Sequence, residues 1–144
     1  MGDEIIIRPD AYTVLLRLSK YFELYLFTAA HKTYADPIID AIDPHRILFK
    51  NRFYRESCVL INQHRIKDLR IFSDRELSQV IIVDNSVISF AFQINNGIPI
   101  QPYLGSKQDY QLLYLMQFLM SLRYVNDVRN IFKTTFSLQR IKPS

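Results

Sequence analysis

Polar residues that could bind a phosphate group follow three predicted strands of this 144-residue chain. Thr28 comes after the apolar run 24–27, Lys67 follows a short strand, and Asp84 with Asn85 ends the β-branched run 80–83. Hydroxyl and ammonium groups donate hydrogen bonds to phosphate oxygens, whereas carboxylate and amide oxygens suit Mg²⁺. Together, these residue types indicate a site for a phosphate group and a magnesium ion.

Each of these residues also has a simpler explanation. Thr, Asp and Asn are common in loops and at the first positions of helices. Lys67 could pair with acidic neighbours instead of a phosphate group. The residue types alone therefore do not distinguish a binding site from ordinary loop and capping residues. The helices and strands that position these residues must be considered as well.

The spacing of apolar residues predicts helices and strands that alternate along the chain. The run 24–27 is short, continuous and apolar, as in a strand that is buried on both faces. The predicted helices cover residues 9–21, 33–43, a stretch near 73–78, and a long C-terminal segment that includes 112–122. The predicted strands cover residues 24–27, 80–84 and 98–100, and a hairpin joins 59–61 to 65–66 through the polar turn 62–64. This alternation predicts a doubly wound α/β domain, in which ligands bind at the carboxyl ends of the strands.

Composition limits the possible classes of protein. With 49% hydrophobic residues, the length predicts one globular domain over residues 1–138, followed by a frayed tail at 139–144. The net charge is only +4 and the 18 Lys and Arg are scattered, which indicates solvated faces rather than a nucleic-acid groove and leaves an acidic or phosphorylated partner open. No apolar run reaches the roughly 18 residues of a membrane span.

The cysteine and histidine residues indicate neither a disulfide nor a metal site. Cys58 is the only cysteine, which predicts a small buried side chain in a protein of a reducing intracellular compartment. The nuclear, cytoplasmic and mitochondrial compartments all remain open. His31, His45 and His64 lack the spacing and the carboxylate companions of a metal site, so they are expected in exposed loops.

Several stretches, in a fixed order, carry a resemblance to a known family. They are YFELYLFTA (21–29), KTYADPIID (32–40), FYRESCV (53–59), RIKDL (65–69), VIIVDNS (80–86) and NNGIPI (95–100). These stretches resemble the small C-terminal-domain phosphatases related to nuclear LIM interactor-interacting factor, within the haloacid dehalogenase superfamily. The resemblance implies the doubly wound, Rossmann-like fold of that superfamily.

The resemblance also implies roles for the residues at the strand ends. Thr28 matches the hydroxyl of the second motif and Lys67 the cation of the third motif, both of which bind phosphate in these enzymes. Asp84 and Asn85 match the fourth motif, at the Mg²⁺ ion. Each implied role agrees with the chemistry that the residue types indicate.

Two further residues match positions that contact the phosphopeptide substrate of these phosphatases, namely Tyr34 and Arg55. Simpler explanations stay open for both. Arg55 could pair with its neighbour Glu56, and Tyr34 could be an aromatic residue at the edge of the core on the second helix.

The first motif of the family, DxDxT, supplies the nucleophilic aspartate, the general acid and a metal ligand, and no DxD occurs in these 144 residues. The resemblance begins downstream of it, at a predicted strand over 5–7. Because the motif ends the central strand of the sheet in the family, we expect an incomplete fold. The runs 24–27 and 80–83 would then flank a missing strand, which another protein chain or a larger complex would supply.

Three functions remain open from the sequence. The first is an inactive, phosphatase-like structural or interaction subunit. The second is an active Mg²⁺-dependent phosphoserine or phosphothreonine phosphatase whose DxDxT segment comes from upstream or from another chain. The third is a peptide-binding module like the mitochondrial translocase subunit of the same fold, although the stretches 34–37 and 84–86 resemble the phosphatases more. Mg²⁺ is expected as the cofactor of an active protein, and none is needed by an inactive one.

Overall fold

Two structural units divide residues 5–138, the part of the chain that this computed structural model describes. The first unit contains residues 5–56 and 103–123, and the second contains residues 57–102 and 124–138. The predicted tail at 139–144 lies outside the described residues. The assignment of residues 1–138 to a single domain stays a prediction.

The first unit combines three helices with a pair of parallel strands. Strand β1 runs in parallel with β2, and Leu26 stands opposite Arg52 in their register. Helix α1 packs on α3 and buries Val14 and Leu18, which lie on one face because they are four residues apart. The elements of this unit are α1 (Ala11–Leu18), β1 (Tyr25–Phe27), α2 (Lys32–Ile42), β2 (Asn51–Phe53) and α3 (Gln111–Ser121).

A buried carboxylate shapes the loop between α2 and β2. Asp43 follows the last residue of α2 and is only 1% exposed. Its carboxylate accepts hydrogen bonds from the backbone N–H groups of Ile47 and Leu48, at 3.0 and 3.1 Å. A buried charge is tolerated where hydrogen bonds replace its water, so Asp43 fixes the path of the chain into β2.

The second unit contains a hairpin, a second pair of parallel strands and a helix. The hairpin turns at Asn62 and Gln63, whose φ angles of 48° and 68° suit a two-residue turn. Strand β5 runs in parallel with β6, and Val83 stands opposite Ile98. The elements are β3 (Val59–Ile61), β4 (His64–Ile66), β5 (Ile82–Asp84), β6 (Gly97–Pro99) and α4 (Val128–Phe136).

Short 3₁₀ segments make most of the connections in this second unit, and they carry its core. The segments are Leu69–Ile71, Leu77–Gln79 and Val87–Asn96. Phe90 is fully buried and packs with Leu69 and Ile82. Gly97 lies so close to the Phe90 ring that a side-chain carbon at this position would overlap it. Glycine is therefore required there by close approach.

Several predicted elements are confirmed. The first two helices, both halves of the hairpin and the runs that became β1, β5 and β6 all occur, within a few residues of their predicted bounds. Each of the longer elements carries a clear apolar period, and the hairpin carries a polar turn. The α/β class follows from this alternation.

Other predictions were wrong, each for a physical reason. Residues 5–7 form no strand, and Ile6 is 62% exposed. The stretch near 73–78 is not a helix, because residues 73–76 are exposed and offer no apolar face. Strand β1 is half-buried rather than fully buried.

The predicted long C-terminal helix is two helices in the structure, α3 and α4. Helix α3 ends at Ser121. Asp127 then caps α4 by accepting the N–H of Arg129 at 3.0 Å. Asp is a favoured residue at this position, so the sequence contained a signal for a second helix.

The first testable prediction concerns Asn96, which is 2% exposed. Its amide donates to the carbonyl oxygens of Leu77 and Val80, at 2.6 and 2.8 Å. The change Asn96→Asp replaces these donors with a carboxylate that faces two carbonyl oxygens. In the form of the protein that unfolds cooperatively, alone or with a peptide that supplies the family's DxDxT strand, we expect the free energy of unfolding in urea to fall by about 2 to 5 kcal/mol. The exposed Asn130→Asp is the matched control, and equal losses for the two variants would contradict the assignment.

Candidate site at the end of strand β5

A buried ion pair joins Lys67, which directly follows β4, to Asp84, the last residue of β5. The Lys67 Nζ lies 2.5 Å from Asp84 Oδ2, and the two side chains are 11% and 9% exposed. Two charges at this depth each need the other, because removing one partner leaves an uncompensated buried charge. The third-motif and fourth-motif residues therefore lie together, and Lys67 has the acidic neighbour that the sequence left open.

Backbone hydrogen bonds hold both members of this pair in place. The Lys67 N–H donates to the Ser89 carbonyl at 2.7 Å. The second carboxylate oxygen of Asp84 accepts the Ser86 N–H at 2.9 Å, and the Asp84 carbonyl accepts the Ile100 N–H at 3.0 Å. The pair is thus anchored at the carboxyl end of a parallel strand, where ligands bind in open α/β sheets.

A second network fixes the residues just after Lys67. Asp68 accepts hydrogen bonds from the Arg70 side chain at 2.7 Å and from the Gln93 amide at 2.8 Å. The side-chain oxygen of the same Gln93 amide, Oε1, accepts a hydrogen bond from the Leu69 N–H at 2.9 Å. The hydrogen bond from Arg70 lowers the pKa of Asp68 to about 2, against the opposing effect of burial.

Sequence analysis missed this second network. Asp68 stands inside the RIKDL stretch, so its position was a signal that could have been used. Gln93 had no such signal, because it lies 25 residues from Asp68 and meets it only in the fold.

The residues expected at a magnesium ion, Asp84 and Asn85, lie at the end of β5. Asp84 brings a carboxylate, and the side chain of Asn85 lies exposed directly after it. Mg²⁺ is commonly held by one or two carboxylates together with water and phosphate oxygens, so this donor set fits the ion. Within residues 5–138, no group of three or more His, Cys, Asp and Glu side chains is placed to hold a metal.

Thr28 lies in the first unit, directly after β1. Its N–H donates to the Phe53 carbonyl at 2.9 Å and so extends the ladder between β1 and β2. Its hydroxyl oxygen accepts the Ala30 N–H at 3.1 Å, in the manner of a turn-forming threonine. The role of Thr28 as a phosphate ligand beside Lys67 stays a prediction.

The loop after β1 holds the guanidinium group of Arg55. The Arg55 Nε donates to the Ala29 carbonyl at 2.7 Å, and its Nη1 lies 3.2 Å from His31 Nε2. Arg55 therefore takes its partners from this loop rather than from Glu56. The same loop carries Thr28, so the hydroxyl and the guanidinium group belong to one local assembly.

Tyr34 lies on α2 and is 69% exposed. The alternative that it is an aromatic residue of the core edge is therefore wrong. An exposed ring on the helix that follows the Thr28 loop is compatible with a peptide contact, and this role of Tyr34 stays a prediction.

A charged network joins α2 to β2 near these residues. Asp36 accepts hydrogen bonds from the Tyr54 hydroxyl at 2.5 Å and from Arg52 at 3.1 Å, and the bond from Tyr54 is the main reason why the pKa of Asp36 is lowered. Arg52 Nη2 also forms an ion pair with Asp40, at 2.9 Å. The network braces the helix that presents Tyr34.

The remaining residues that the sequence singled out lie apart from these contacts. Cys58 is half-buried rather than buried. His31, His45 and His64 are all exposed, as expected, although His64 lies in β4 rather than in a loop. Among the described residues, no helix is long and apolar enough to cross a membrane.

Comparison with known proteins shows the family of this chain. The family model described as "NLI interacting factor-like phosphatase" matches residues 1–129. A CTD small phosphatase-like protein 2 of Dictyostelium discoideum is 41% identical over 134 residues, which cover 93% of this chain and 23% of that protein. The human CTD small phosphatase-like protein is 40% identical over 124 residues, with 86% of this chain and 44% of that protein covered.

A solved structure shows the same architecture. The structure of Fcp1, an essential RNA polymerase II CTD phosphatase, matches 96% of this chain and 39% of that chain, with a TM-score of 0.59 and 22% identity. The fold is therefore the α/β fold of a phosphatase domain of the haloacid dehalogenase type. The chain belongs to the NLI interacting factor-like phosphatase family, which confirms the resemblance. It spans about a quarter of the Dictyostelium relative and under half of the human one.

A second prediction follows from the Asp68 network. Because the pKa of Asp68 in the folded protein is lowered from 3.8 to about 2, its stabilising contribution is present above pH 4 and is lost as the pH falls towards 2. The change Asp68→Asn should therefore flatten the loss of stability between pH 5 and about pH 2. Urea denaturation at both pH values measures this, on the same cooperatively unfolding form of the protein. The control is Asp74→Asn, because the Asp74 side chain is 80% exposed. This variant should lose stability with falling pH as steeply as the wild type does. If Asp68→Asn also loses stability as steeply as the wild type, the assignment is refuted.

Proposed function

We propose that this chain, by itself, is a catalytically inactive phosphatase-like domain that holds a phosphate group and acts as a structural or interaction subunit. The observation that supports this most strongly is the Lys67–Asp84 pair at the end of β5. It keeps a cation and a carboxylate at the position where a phosphate group and its metal ion bind in this kind of fold.

The chemistry that the chain lacks follows from its composition. Lys67 and Thr28 can donate hydrogen bonds to phosphate oxygens, but neither is the carboxylate nucleophile of this family. No DxD occurs in the 144 residues. Since a nucleophile and a general acid each contribute orders of magnitude to the rate, binding without turnover is the expected behaviour of this chain alone.

The proposed magnesium ion would be held by Asp84 and Asn85. When bound, it would neutralise part of the charge on the phosphate oxygens. Lys67, which already pairs with Asp84, would supply a second positive charge to the phosphate oxygens. This arrangement keeps the negative charge near the phosphate group compensated.

The proposed ligand is a phosphoserine or phosphothreonine peptide. Tyr34 presents an exposed ring, and Arg55 presents a guanidinium group that is fixed by the Thr28 loop. An aromatic ring and an oriented guanidinium group suit a peptide that carries a phosphate. A reducing intracellular compartment belongs to this proposal, since Cys58 is the only cysteine.

An active enzyme is the second candidate, and the strand pairing supports it. The β5–β6 sheet has two strands among the described residues, so one edge of β5 lies outside the ladder. A strand that carried DxDxT could pair with that edge through main-chain hydrogen bonds. It would place a nucleophile near Asp84, and the combined protein would be a Mg²⁺-dependent phosphatase.

The third prediction is the absence of turnover. The chain alone, with Mg²⁺ present, should not hydrolyse p-nitrophenyl phosphate above the rate of a blank, because no group in it can attack phosphorus. Release of p-nitrophenol measures the rate. Turnover that Asp84→Ala abolishes would overturn the proposal, whereas turnover that survives Asp84→Ala identifies a contaminant.

The fourth prediction concerns the partner that completes the sheet. Unpaired strand edges in a core leave backbone groups without hydrogen bonds, at about 1 to 3 kcal/mol for each group. The chain alone should therefore melt without a sharp transition. A peptide with the family's DxDxT strand should produce a cooperative transition in differential scanning calorimetry. A sharp transition without the peptide would show that the chain closes its own core, and a peptide with prolines at alternate positions is the control.

A further inference from the structure

Strand β3 presents an unusual surface, because its three residues are all apolar and all exposed. Val59, Leu60 and Ile61 are 40%, 57% and 41% exposed. The hairpin has only two strands among the described residues, so β3 is an edge strand. Edge strands are normally protected by charges, prolines or bulges, and β3 contains no charged residue and no proline.

The register of the hairpin determines which backbone groups face the open edge. Ile61 stands opposite His64 across the two-residue turn, and Val59 stands opposite Ile66. In a hairpin of this length the pair next to the turn exchanges both hydrogen bonds, and the pairs then alternate. Leu60 is therefore the residue of β3 whose N–H and C=O point away from β4.

A cation lies on β4, one strand inward from this edge, and on the same face as Leu60. Arg65 stands directly opposite Leu60 in the register, and cross-strand partners share a face. Throughout the described part of the chain, the Arg65 side chain makes no ion pair and no hydrogen bond. A carboxylate on an incoming strand would complement its charge.

We propose that β3 binds an extended segment of a partner protein, which adds to the hairpin as a third strand. Leu60 supplies the main-chain hydrogen bonds, Val59 and Ile61 contact apolar side chains, and Arg65 pairs with an acidic side chain of the segment. A second copy of this chain is a poorer occupant, because residues 57–63 contain no carboxylate to meet Arg65. The surface lies within the second unit.

The test uses the chain in the form that gives a cooperative thermal transition, alone or with the DxDxT strand peptide. The probe is a short, end-capped peptide in which valine and glutamate alternate. Amide hydrogen exchange, read by NMR, should show protection of the Leu60 N–H by about tenfold or more. The N–H groups of Val59 and Ile61, which already bond to β4, should change little.

Variants then separate strand addition from adventitious contact. In fluorescence anisotropy, Leu60→Lys should weaken binding of the labelled peptide by about tenfold. The control Leu104→Lys, at a residue that is 89% exposed in the first unit, should bind like the wild type. Arg65→Glu reverses the charge on this face. This variant should no longer bind the valine–glutamate peptide and should bind a valine–lysine peptide instead. Thermal melts of each variant verify that the fold is retained.

Three results would overturn the proposal. The first is no saturation up to about 1 mM peptide. The second is binding that leaves the Leu60 N–H unprotected or is unaffected by Leu60→Lys. The third is sedimentation of the chain as a dimer that Leu60→Lys dissociates, which would assign the edge to a second copy.

Discussion

The need to pair two buried charges organises the region around β5. Lys67 and Asp84 are separated by 17 residues and meet at the carboxyl end of the strand. Neither is stable at this depth alone, so the backbone on both sides must hold them at contact distance. The hydrogen bonds at Ser86, Ser89 and Ile100 do so. The Asp68–Gln93 network then fixes the chain that follows Lys67.

In the first unit, hydrogen bonds rather than a buried ion pair hold the residues after β1 in place. The loop after β1 carries Thr28, and the Ala29 carbonyl of this loop accepts a hydrogen bond from the Arg55 side chain. The charged network of Asp36, Tyr54 and Arg52 braces the neighbouring helix α2. In both units, short strands leave polar residues at their carboxyl ends, and hydrogen bonds from distant segments fix those residues. Rigid support of this kind is what a binding site requires.

The sequence predicted those parts of the fold that carry a strong local signal. Apolar periodicity located α1, α2 and β1, and the polar turn located the hairpin. The stretch near 73–78 was wrongly predicted as a helix, because residues 73–76 are exposed and offer no apolar face to pack against the core. Lys67 and Asp84 were singled out by their residue types at strand ends and then by motif resemblance. Gln93 was not, because its partner Asp68 is distant in sequence and only the fold brings the two together.

The central claim is that the Lys67–Asp84 pair belongs to a retained phosphate site. Isothermal titration of inorganic phosphate, with Mg²⁺ present, tests this most directly when the wild type, in the form that gives a cooperative thermal transition, is compared with Lys67→Met and Arg65→Gln in the same form. We expect Arg65→Gln to bind phosphate like the wild type, while Lys67→Met, verified as folded, binds at least about tenfold more weakly. Equal affinity in all three proteins would contradict it, as would a wild type that does not bind phosphate.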